Sequence, residues 1–492
     1  MYKKFCNNLF YANLFHISLF HTKFFHKILF QAALIFLLCG SKIQIFAAPG
    51  SLDTTFNPGG VKPGTKTFQI DPAELTSYGY SVAMQSDGKI VVAGFVDMGL
   101  GIGKFAVARL NPDGSFDTSF NQFGVEGQPG TASTKIDNND FSQANAVAIQ
   151  ANGRIVLAGE TVSAGDYKIA LARFYADGTL DTTFNAGGIR HGTISIEIEN
   201  NTFSVAKSVA IQKDDQKIVV CGITRDVSNV IKFAVARFTT TGELDTSFNN
   251  TGVNQGTAST TIDNNNRNSG YSVTIQQDGR IVLAGYTTPV TGTNRFAVAR
   301  YTTNGIIDTS FNFGGVQQGT NSVAVDNNTS SACTSLALQT DEKIVTGGYT
   351  IDAGGAKKFA LARFNTDGSV DTSNFNSSGS NPGTVSTTVE SNTNCSGNSV
   401  AIQKSGKIVI GGAVNLSAGN TNFGLARFKT DGIIDTNFNA GGVQKGTVST
   451  PVDNNINNQA NSITIQDDGK IVLAGYSGSG SGPYKFAQNK LL

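Results

Sequence analysis

From residue 49 to its end, the chain alternates short apolar segments with polar turns that contain glycine or asparagine. In the first complete unit the apolar-rich segments are residues 81–85, 89–93, 105–110 and 116–120, and Asp-Gly dipeptides join the first to the second and the third to the fourth. Asp-Gly between two apolar segments is a strong hairpin signal. The second and third segments are almost continuously apolar, as expected of strands buried on both faces. The pattern therefore predicts units of four β-strands with a polar outer edge.

The unit repeats with a period of 63 to 64 residues, which is typical of repeat architectures. Phrases such as Leu-Asp-Thr-Ser-Phe-Asn place an aspartate at Asp53, Asp117, Asp181, Asp245, Asp308, Asp371 and Asp435. A third-strand phrase such as Phe-Ala-Val-Ala-Arg-Phe places an arginine at Arg109, Arg173, Arg237, Arg300, Arg363 and Arg427, with Lys490 in the next position. One repeat domain is therefore predicted over residues 49–492.

The repeat predicts an all-β fold, a single closed seven-bladed β-propeller with four-stranded blades, because each sheet needs neighbours on both faces. Residues 50–53 match the start of the fourth segment, whereas residues 486–492 match the third and have no fourth segment after them. The N-terminal strand is therefore expected to complete the last blade. An open solenoid would instead require polar capping units.

Three recurring phrases, Gly-Lys-Ile-Val-Val-Ala-Gly, Phe-Ala-Val-Ala-Arg and Leu-Asp-Thr-Ser-Phe, resemble those of the delta-60 repeat family of exported bacterial proteins. The resemblance covers residues 49–492 and implies a propeller fold and export, with no known reaction. The chain departs from the family pattern where asparagine, rather than glycine, follows the third phrase. Because asparagine tolerates left-handed backbone better than most residues, the turn is expected to be retained.

Residues 1–48 form a different segment, with five lysines and no acidic residue. An apolar stretch at residues 28–38, followed by Ala47-Ala48-Pro49, has the order of a secretory signal peptide. An uncleaved anchor is the alternative. We expect a secreted, periplasmic or cell-surface protein, a monomer, with no membrane span after removal of the leader.

The charge balance argues against nucleic acid as a partner. Removing the leader takes 5 of the 37 basic residues and leaves 32 against 36 acidic ones, a net charge of −4, with no basic run. The three remaining cysteines, Cys221, Cys333 and Cys395, are too few for a disulfide framework. A disulfide between Cys333 and Cys395, in corresponding connections of adjacent units, is left open.

Charged residues recur at the same positions of successive units and form two sets, one of charged pairs and one of basic residues. Arg109 with Asp117, Arg173 with Asp181 and Lys490 with Asp53 are predicted to form structural charged pairs, because a catalytic group is needed once and these recur in every unit. Basic residues that open the second strand form either solvated turn charges or a cationic ring for an anionic polymer: Lys89, Arg154, Lys217, Arg280, Lys343, Lys407 and Lys470.

A ring of acidic residues precedes the first strand of each unit and lies in the predicted loop face. Its members are Asp71, Asp137, Glu199, Asp263, Asp326, Glu390 and Asp453. Carboxylate and amide oxygens at such positions could bind Ca²⁺ or polyols. Alternatively, these side chains only close their own Asx turns.

The sequence favours a binding scaffold over an enzyme. His191 is the only histidine after the leader, which excludes a histidine metal cluster or a Ser-His-Asp triad. We expect a protein or glycan partner at the loop face and no cofactor unless the acidic ring binds Ca²⁺. A carboxylate-based glycan hydrolase at the channel mouth and a purely structural surface protein are the alternatives. A unique site is expected where the repeat is broken, at Glu74, Tyr78, Tyr80, Asp140, Arg267 and Tyr271.

Overall fold

The computed structural model describes residues 48–492 except 125–126, 291, 327–329, 393, 417–418 and 481. The predicted leader, apart from Ala48, lies outside the described residues. Ala48–Leu492 forms a compact unit by itself. The described residues contain no α-helix, which confirms the all-β prediction, and accordingly no helix in this part of the chain could cross a membrane.

The strands form repeated antiparallel quartets, in which consecutive strands pair with each other. The first quartet contains β2 (Thr76–Met84), β3 (Ile90–Asp97), β4 (Gly103–Leu110) and β5 (Thr131–Thr134). The second contains β6 (Phe141–Ile149), β7 (Ile155–Ser163), β8 (Asp166–Phe174) and β9 (Thr193–Ile196). The third contains β10 (Phe203–Ile211), β11 (Ile218–Arg225), β12 (Ile231–Phe238) and β13 (Thr257–Thr260).

The later quartets have the same order. The fourth contains β14 (Arg267–Ile275), β15 (Ile281–Thr288), β16 (Arg295–Tyr301) and β17 (Thr320–Val323). The fifth contains β18 (Ser330–Leu338), β19 (Ile344–Ile351), β20 (Lys357–Phe364) and β21 (Thr384–Thr387). The sixth contains β22 (Cys395–Ile402), β23 (Ile408–Asn415), β24 (Thr421–Phe428) and β25 (Thr447–Thr450). The last contains β26 (Asn457–Ile465), β27 (Ile471–Gly478), β28 (Lys485–Leu491) and β1 (Thr65–Phe68).

Successive quartets pack face to face and share their cores. Val91 and Phe105 of the first quartet, for example, pack with Ile155 and Leu157 of the second, and all four side chains are fully buried. This arrangement explains why the second and third strands are apolar on both faces. The first strand of each quartet contacts the first strand of the next, and β26 contacts β2. The fold is thus a series of propeller-like repeated sheets.

The predicted fourth strand, residues 116–120, is wrong. Phe116 makes only an isolated bridge to Leu110, and the chain then turns. The carboxylate of Asp117 accepts hydrogen bonds from the backbone N–H and the hydroxyl of Ser119, which closes the turn. The edge of the quartet is instead β5, a short polar strand that pairs with β4.

The asparagine that departs from the delta-60 pattern does occupy a left-handed turn. The φ angles of Asn57, Asn121, Asn185, Asn249, Asn312, Asn376 and Asn439 lie between 46° and 51°. The side-chain amide of Asn121 also donates to the carbonyl of Thr131, at the start of β5, with a distance of 2.6 Å. Glycine has no side chain for this bond, so asparagine both makes the turn and positions the edge strand.

The last quartet contains an irregularity in its core. β28 has Gln488 and Asn489 where β4 has Val107 and Ala108, and all four residues are buried. Both polar atoms of the Gln488 side chain lack a hydrogen-bond partner. A buried polar group without a partner costs about 1 to 3 kcal/mol of stability. The strand that pairs with β1 is therefore weaker than its counterparts.

Gln488→Val is expected to raise the melting temperature, because it restores the apolar residue of the other quartets and removes two unpaired polar atoms. The gain should be about 1 to 3 kcal/mol, measured by thermal and urea unfolding. The matched control is Val107→Gln, which should lower stability by a similar amount. A fall in stability for Gln488→Val would contradict this interpretation.

Candidate functional site

The predicted Arg109–Asp117 pair is part of a buried cluster. Arg109 Nε lies 2.7 Å and Lys89 Nζ 3.1 Å from Asp117 Oδ2. The guanidinium also lies 4.7 Å from the ring centre of Phe120. Arg109 donates a further hydrogen bond to the Ala176 carbonyl, which belongs to the next quartet. The cluster therefore ties two strands and two neighbouring sheets together.

The same arrangement recurs, with one aspartate between the basic residue of the second strand and that of the third. The clusters are Arg154–Asp181–Arg173, Lys217–Asp245–Arg237, Arg280–Asp308–Arg300, Lys343–Asp371–Arg363, Lys407–Asp435–Arg427 and Lys470–Asp53–Lys490. The basic ring of the second strands is therefore engaged in ion pairs. These basic side chains remain 21 to 42% exposed, and both interpretations of the ring stay predictions.

The ionised state of these aspartates depends on the cluster. Burial by itself raises the pKa of Asp117, but hydrogen bonds from Ser119 and Lys89 and the charge of Arg109 outweigh it and lower the pKa to about 2. The same balance lowers the pKa of Asp245 to about 2, with Ser247, Lys217 and Arg237 as the partners. Both carboxylates are therefore ionised throughout the physiological pH range.

The predicted acidic ring joins neighbouring quartets. Asp137 has a φ of 46°, in a tight turn closed by a hydrogen bond from Asn139 N–H to the Ile136 carbonyl. Its carboxylate accepts hydrogen bonds from Thr193 Oγ1 at 3.0 Å and Ser195 Oγ at 2.7 Å, both in the edge strand of the next quartet. The left-handed turn thus aims the carboxylate at the neighbouring sheet rather than at its own backbone.

Other members of the ring repeat this contact. Ser259 donates to Glu199, Ser322 to Asp263, Thr384 to Asp326, Ser449 to Glu390, and Thr65 and Thr67 to Asp453. Asp71 differs, because its carboxylate accepts from Ala73 N–H within its own turn. Next to it, the buried Glu74 accepts hydrogen bonds from Ile70 N–H and Ser77 Oγ. The ring predicted for ligand binding therefore acts mainly in contacts between sheets.

Metal and thiol chemistry find little support in the part of the chain that the structure describes. No three His, Cys, Asp or Glu side chains there lie close enough to hold a metal ion. The Ca²⁺ site stays a prediction. Cys221, Cys333 and Cys395 are free and buried, so the disulfide left open above is not formed. Burial raises the pKa of the Cys333 thiol to about 12, which keeps it protonated.

Each first strand contains a β-bulge, and the bulge residue varies while its neighbours repeat. The bulge residues are Tyr80, Asn145, Lys207, Tyr271, Thr334, Asn398 and Asn461. A bulge re-aims the side chain of the extra residue and is common near functional sites. Four of these side chains donate to a backbone carbonyl in the first strand of the next quartet: Asn145, Thr334, Asn398 and Asn461. The tyrosine and lysine bulges do not make that bond.

Six segments of the chain match a protein family described as "Domain of unknown function (DUF5122) beta-propeller": residues 85–120, 150–184, 214–248, 276–311, 339–373 and 403–438. These six segments are therefore similar to that β-propeller family. The resemblance to delta-60 repeats is thus supported at the level of a β-propeller repeat, and the delta-60 name stays a prediction. No curated protein matches the sequence.

Several solved structures are similar to this chain at low sequence identity. A protein of unknown function from Dyadobacter fermentans has a TM-score of 0.44 and 11% identity, covering 87% of this chain and 99% of that one. Drosophila Semaphorin 2a has a TM-score of 0.46 and 10% identity, and the match covers 86% of this chain and 75% of that one. An inactive virginiamycin B lyase from Staphylococcus aureus has a TM-score of 0.40 and 12% identity, and the match covers 87% of this chain and 99% of that one. At these scores none of them bears on what this chain binds.

Tyrosines of the chain concentrate around the first and second strands of the quartets. Of the 12 tyrosines in the chain, Tyr78, Tyr80, Tyr271, Tyr286, Tyr349, Tyr476 and Tyr484 lie there or in the loop that follows β27. The Tyr78 ring centre lies 4.9 Å from that of Tyr476 and 5.3 Å from that of Tyr484, at the junction of the last and first quartets. Tyr271 and Tyr286 form a second, stacked pair 5.8 Å apart.

Polar side chains of the second and third quartets accompany the tyrosines. Glu160 Oε2 lies 3.3 Å from Lys207 Nζ and accepts a hydrogen bond of the same length from Asn145 Nδ2. Gln143 Nε2 donates to Asn145 Oδ1 at 3.0 Å. Burial, followed by the neighbouring Tyr476, Tyr78 and Glu160, raises the pKa of Tyr80, so its hydroxyl stays neutral. The seven tyrosines, together with Gln143, Asn145, Glu160 and Lys207, are named the inner patch.

Sequence reasoning found only part of the inner patch. Tyr78, Tyr80 and Tyr271 were expected from breaks in the repeat, and all three are members. Glu160 and Lys207 were missed, although both vary at a fixed position within otherwise repeated phrases. The other expected breaks lie elsewhere: Asp140 pairs with Lys135 at an exposed site, and Arg267 is exposed at the start of β14.

A cleft of about 420 Å³ lies between the fourth and fifth quartets, beside the turns that join the first strand of each to the second. Arg280, Asp278 and Glu342 are among the residues that line it. Arg280 is already paired with Asp278 at 3.1 Å and with the cluster aspartate Asp308 at 3.4 Å. The charge of Arg280 therefore belongs to the repeated clusters of ion pairs.

Asp117→Asn is expected to destabilise the protein at pH 7 by about 3 kcal/mol, because it leaves the buried Arg109 guanidinium without its carboxylate partner. The folded-state pKa of Asp117 is below its ordinary value of 3.8. Its contribution is therefore present above about pH 4 and is lost as the pH falls toward about 2. The melting temperatures of variant and wild type, measured by circular dichroism, should converge over that range.

Asp140→Asn is the control, since its partner Lys135 and its own exposed carboxylate make a surface pair. It should match the wild type at every pH. A difference for Asp117→Asn that persists unchanged at pH 2 would show that the loss does not come from the ionised carboxylate.

Proposed function

We propose that the chain is an exported binding scaffold, built as a closed seven-bladed propeller, whose ligand is held by the inner patch. One observation carries this proposal: repeated charged side chains are engaged within and between sheets, whereas tyrosine, glutamate and lysine side chains that depart from the repeat lie on the first and second strands. Aromatic residues accompanied by a few polar groups are typical of ligand-binding sites. The partner is a protein or a glycan.

Contacts between the last and first quartets support ring closure. Ser462 Oγ accepts a hydrogen bond from Val82 N–H at 3.2 Å, the same length as the bond from Val147 N–H to Ser81 Oγ between the first and second quartets. Asn461 Nδ2 donates to the Gly79 carbonyl at 2.8 Å. β1 pairs with β28 in antiparallel register from Thr65 to Phe68. The junction between the chain ends therefore uses the same bonds as the junctions elsewhere.

A scaffold accounts for the inner patch better than a hydrolase does. Carboxylate-based glycoside hydrolysis needs two acidic groups flanking one bond, and Glu160 is the one carboxylate in the patch as defined above. A purely structural role would not require side chains that depart from the repeat at its inner strands. Export is supported by the leader pattern of residues 1–48, and we propose that the exported form is a monomer.

Deletion of residues 48–68 is expected to lower the melting temperature of the 48–492 unit by several degrees or more. The deletion removes β1, exposes the edge of β28 and takes away Asp53 from the last charged cluster. Adding a peptide of residues 48–68 should restore part of the loss, because the segment contacts the last quartet through strand pairing and ion pairs that a separate peptide can also form. An unchanged melting temperature would contradict ring closure by this segment.

The binding proposal is tested by recovering surface polysaccharides and surface proteins of the producing cell on immobilised 48–492 protein. Tyr80→Ala/Tyr271→Ala should recover much less material than the wild type, because two aromatic faces are lost. Asn398→Ala, at a bulge whose side chain bonds to the next quartet, should recover as much as the wild type. Equal recovery by all three proteins would reject the inner patch, and no recovery would reject the scaffold.

A further inference from the structure

We propose that the inner patch binds an uncharged carbohydrate, an inference that rests on the proposed binding function and narrows its ligand. Three properties of the patch support this inference: the packing of its tyrosine rings, the pairing of its charges, and the alternation of hydrogen-bond donors and acceptors among its polar side chains. The first two argue against other classes of ligand, and the third matches the hydroxyls of a sugar.

The packing of Tyr78, Tyr476 and Tyr484 leaves no aromatic cage for a cation between these three rings. Tyr476 lies 4.9 Å from Tyr78 and 5.2 Å from Tyr484, measured between ring centres, and both pairs are edge to face. These are the spacings of rings in direct contact, so no ammonium group fits between them. The seven tyrosine side chains of the patch are each partly exposed. Flat aromatic faces of this kind stack on the C–H surface of a sugar ring.

The charges of the patch exclude a strongly charged ligand. Glu160 and Lys207 form an ion pair at 3.3 Å, with side chains that are 12% and 25% exposed. The remaining members are neutral, and burial raises the pKa values of Tyr80 and Tyr271, which keeps their hydroxyls protonated. Glu160 would repel a polyanion, and Lys207 would repel a polycation. A ligand without charge leaves the pair intact.

Donors and acceptors alternate along the polar part of the patch. Lys207 has an ammonium group with N–H donors, Glu160 has carboxylate acceptors, and Asn145 and Gln143 have both. Vicinal hydroxyls of a sugar donate and accept at neighbouring positions, so they satisfy such an arrangement. The half-buried Tyr476 adds a hydroxyl that donates to Gln459 Oε1 at 3.0 Å, and its oxygen keeps acceptor capacity. The patch thus combines stacking faces with the polar groups that read hydroxyls.

The 48–492 unit is applied to an array of neutral glucans, xylans, mannans and galactans, with alginate, polygalacturonate and unrelated peptides on the same surface. Binding to the best oligosaccharide is then measured by calorimetry. We expect a neutral class to bind, with affinity about tenfold weaker in Tyr80→Ala and in Tyr271→Ala, since each removes one stacking face. Asn398→Ala should bind like the wild type. Glu160→Gln should weaken the binding of the neutral oligosaccharide and increase the retention of alginate, because it leaves the ammonium group of Lys207 without its carboxylate partner.

Unfolding curves of all variants are recorded, so that loss of fold is separated from loss of binding; a variant that unfolds is replaced by Tyr80→Leu or Tyr271→Leu, which fill more of the space without an aromatic face and should also bind more weakly than the wild type. Binding of only anionic polymers or only peptides, lost in the tyrosine variants, would overturn the carbohydrate inference and leave the scaffold proposal standing. Neutral binding that the tyrosine variants do not change would overturn the site. Absence of binding to every class would overturn both.

Discussion

The buried aspartate that follows each third strand is the interaction on which the rest of the structure depends. A sheet with two apolar faces can exist in water only between two others, so every sheet must be set at a defined position against its neighbours. Asp117 does this with few atoms, because it holds Arg109 and Lys89 while Arg109 reaches the Ala176 carbonyl of the next quartet. Desolvation of the carboxylate is offset by two cations and the turn formed with Ser119. The repeated phrase Leu-Asp-Thr-Ser-Phe is therefore a structural constraint at each junction.

A second set of contacts lies at the turns that precede the first strand of each quartet. These contacts leave the first strands, called the inner strands below, free for other roles. Asp137 and its counterparts connect one quartet to the edge strand of the next. Bulge side chains such as Asn398 connect the inner strands. With both the edges and most of the inner strands secured, Tyr80 and Tyr271 can be spared from that bonding, while Lys207 pairs with Glu160 of the preceding quartet. Divergence at a few inner positions thus changes the surface without changing the framework.

Sequence patterns predicted the repeat, the all-β class and the charged pairs, because period, apolar runs and opposite charges are local properties of the chain. The fourth strand was misplaced, since Phe116 to Phe120 has the composition of a strand, while Asp117 and the left-handed Asn121 turn it. The inner patch was found only at Tyr78, Tyr80 and Tyr271. Whether Glu160 meets Lys207 depends on how two quartets pack, and the bulge that aims Lys207 is a pairing irregularity with β11 that no single strand reveals.

The pairing of β1 with β28 also affects the order in which the molecule can assemble. Quartets in the middle of the chain contain strands that are close in sequence, so each can form as soon as its own residues are available. The last quartet joins strands separated by almost the whole domain, and Gly50 N–H donates to the Leu492 carbonyl at 2.7 Å beside it. A chain that emerges from its N-terminus must therefore keep β1 unpaired until the final strand arrives. During that interval β1 and the newest edge strand are exposed together, and two chains at high concentration could exchange them, giving a domain-swapped dimer.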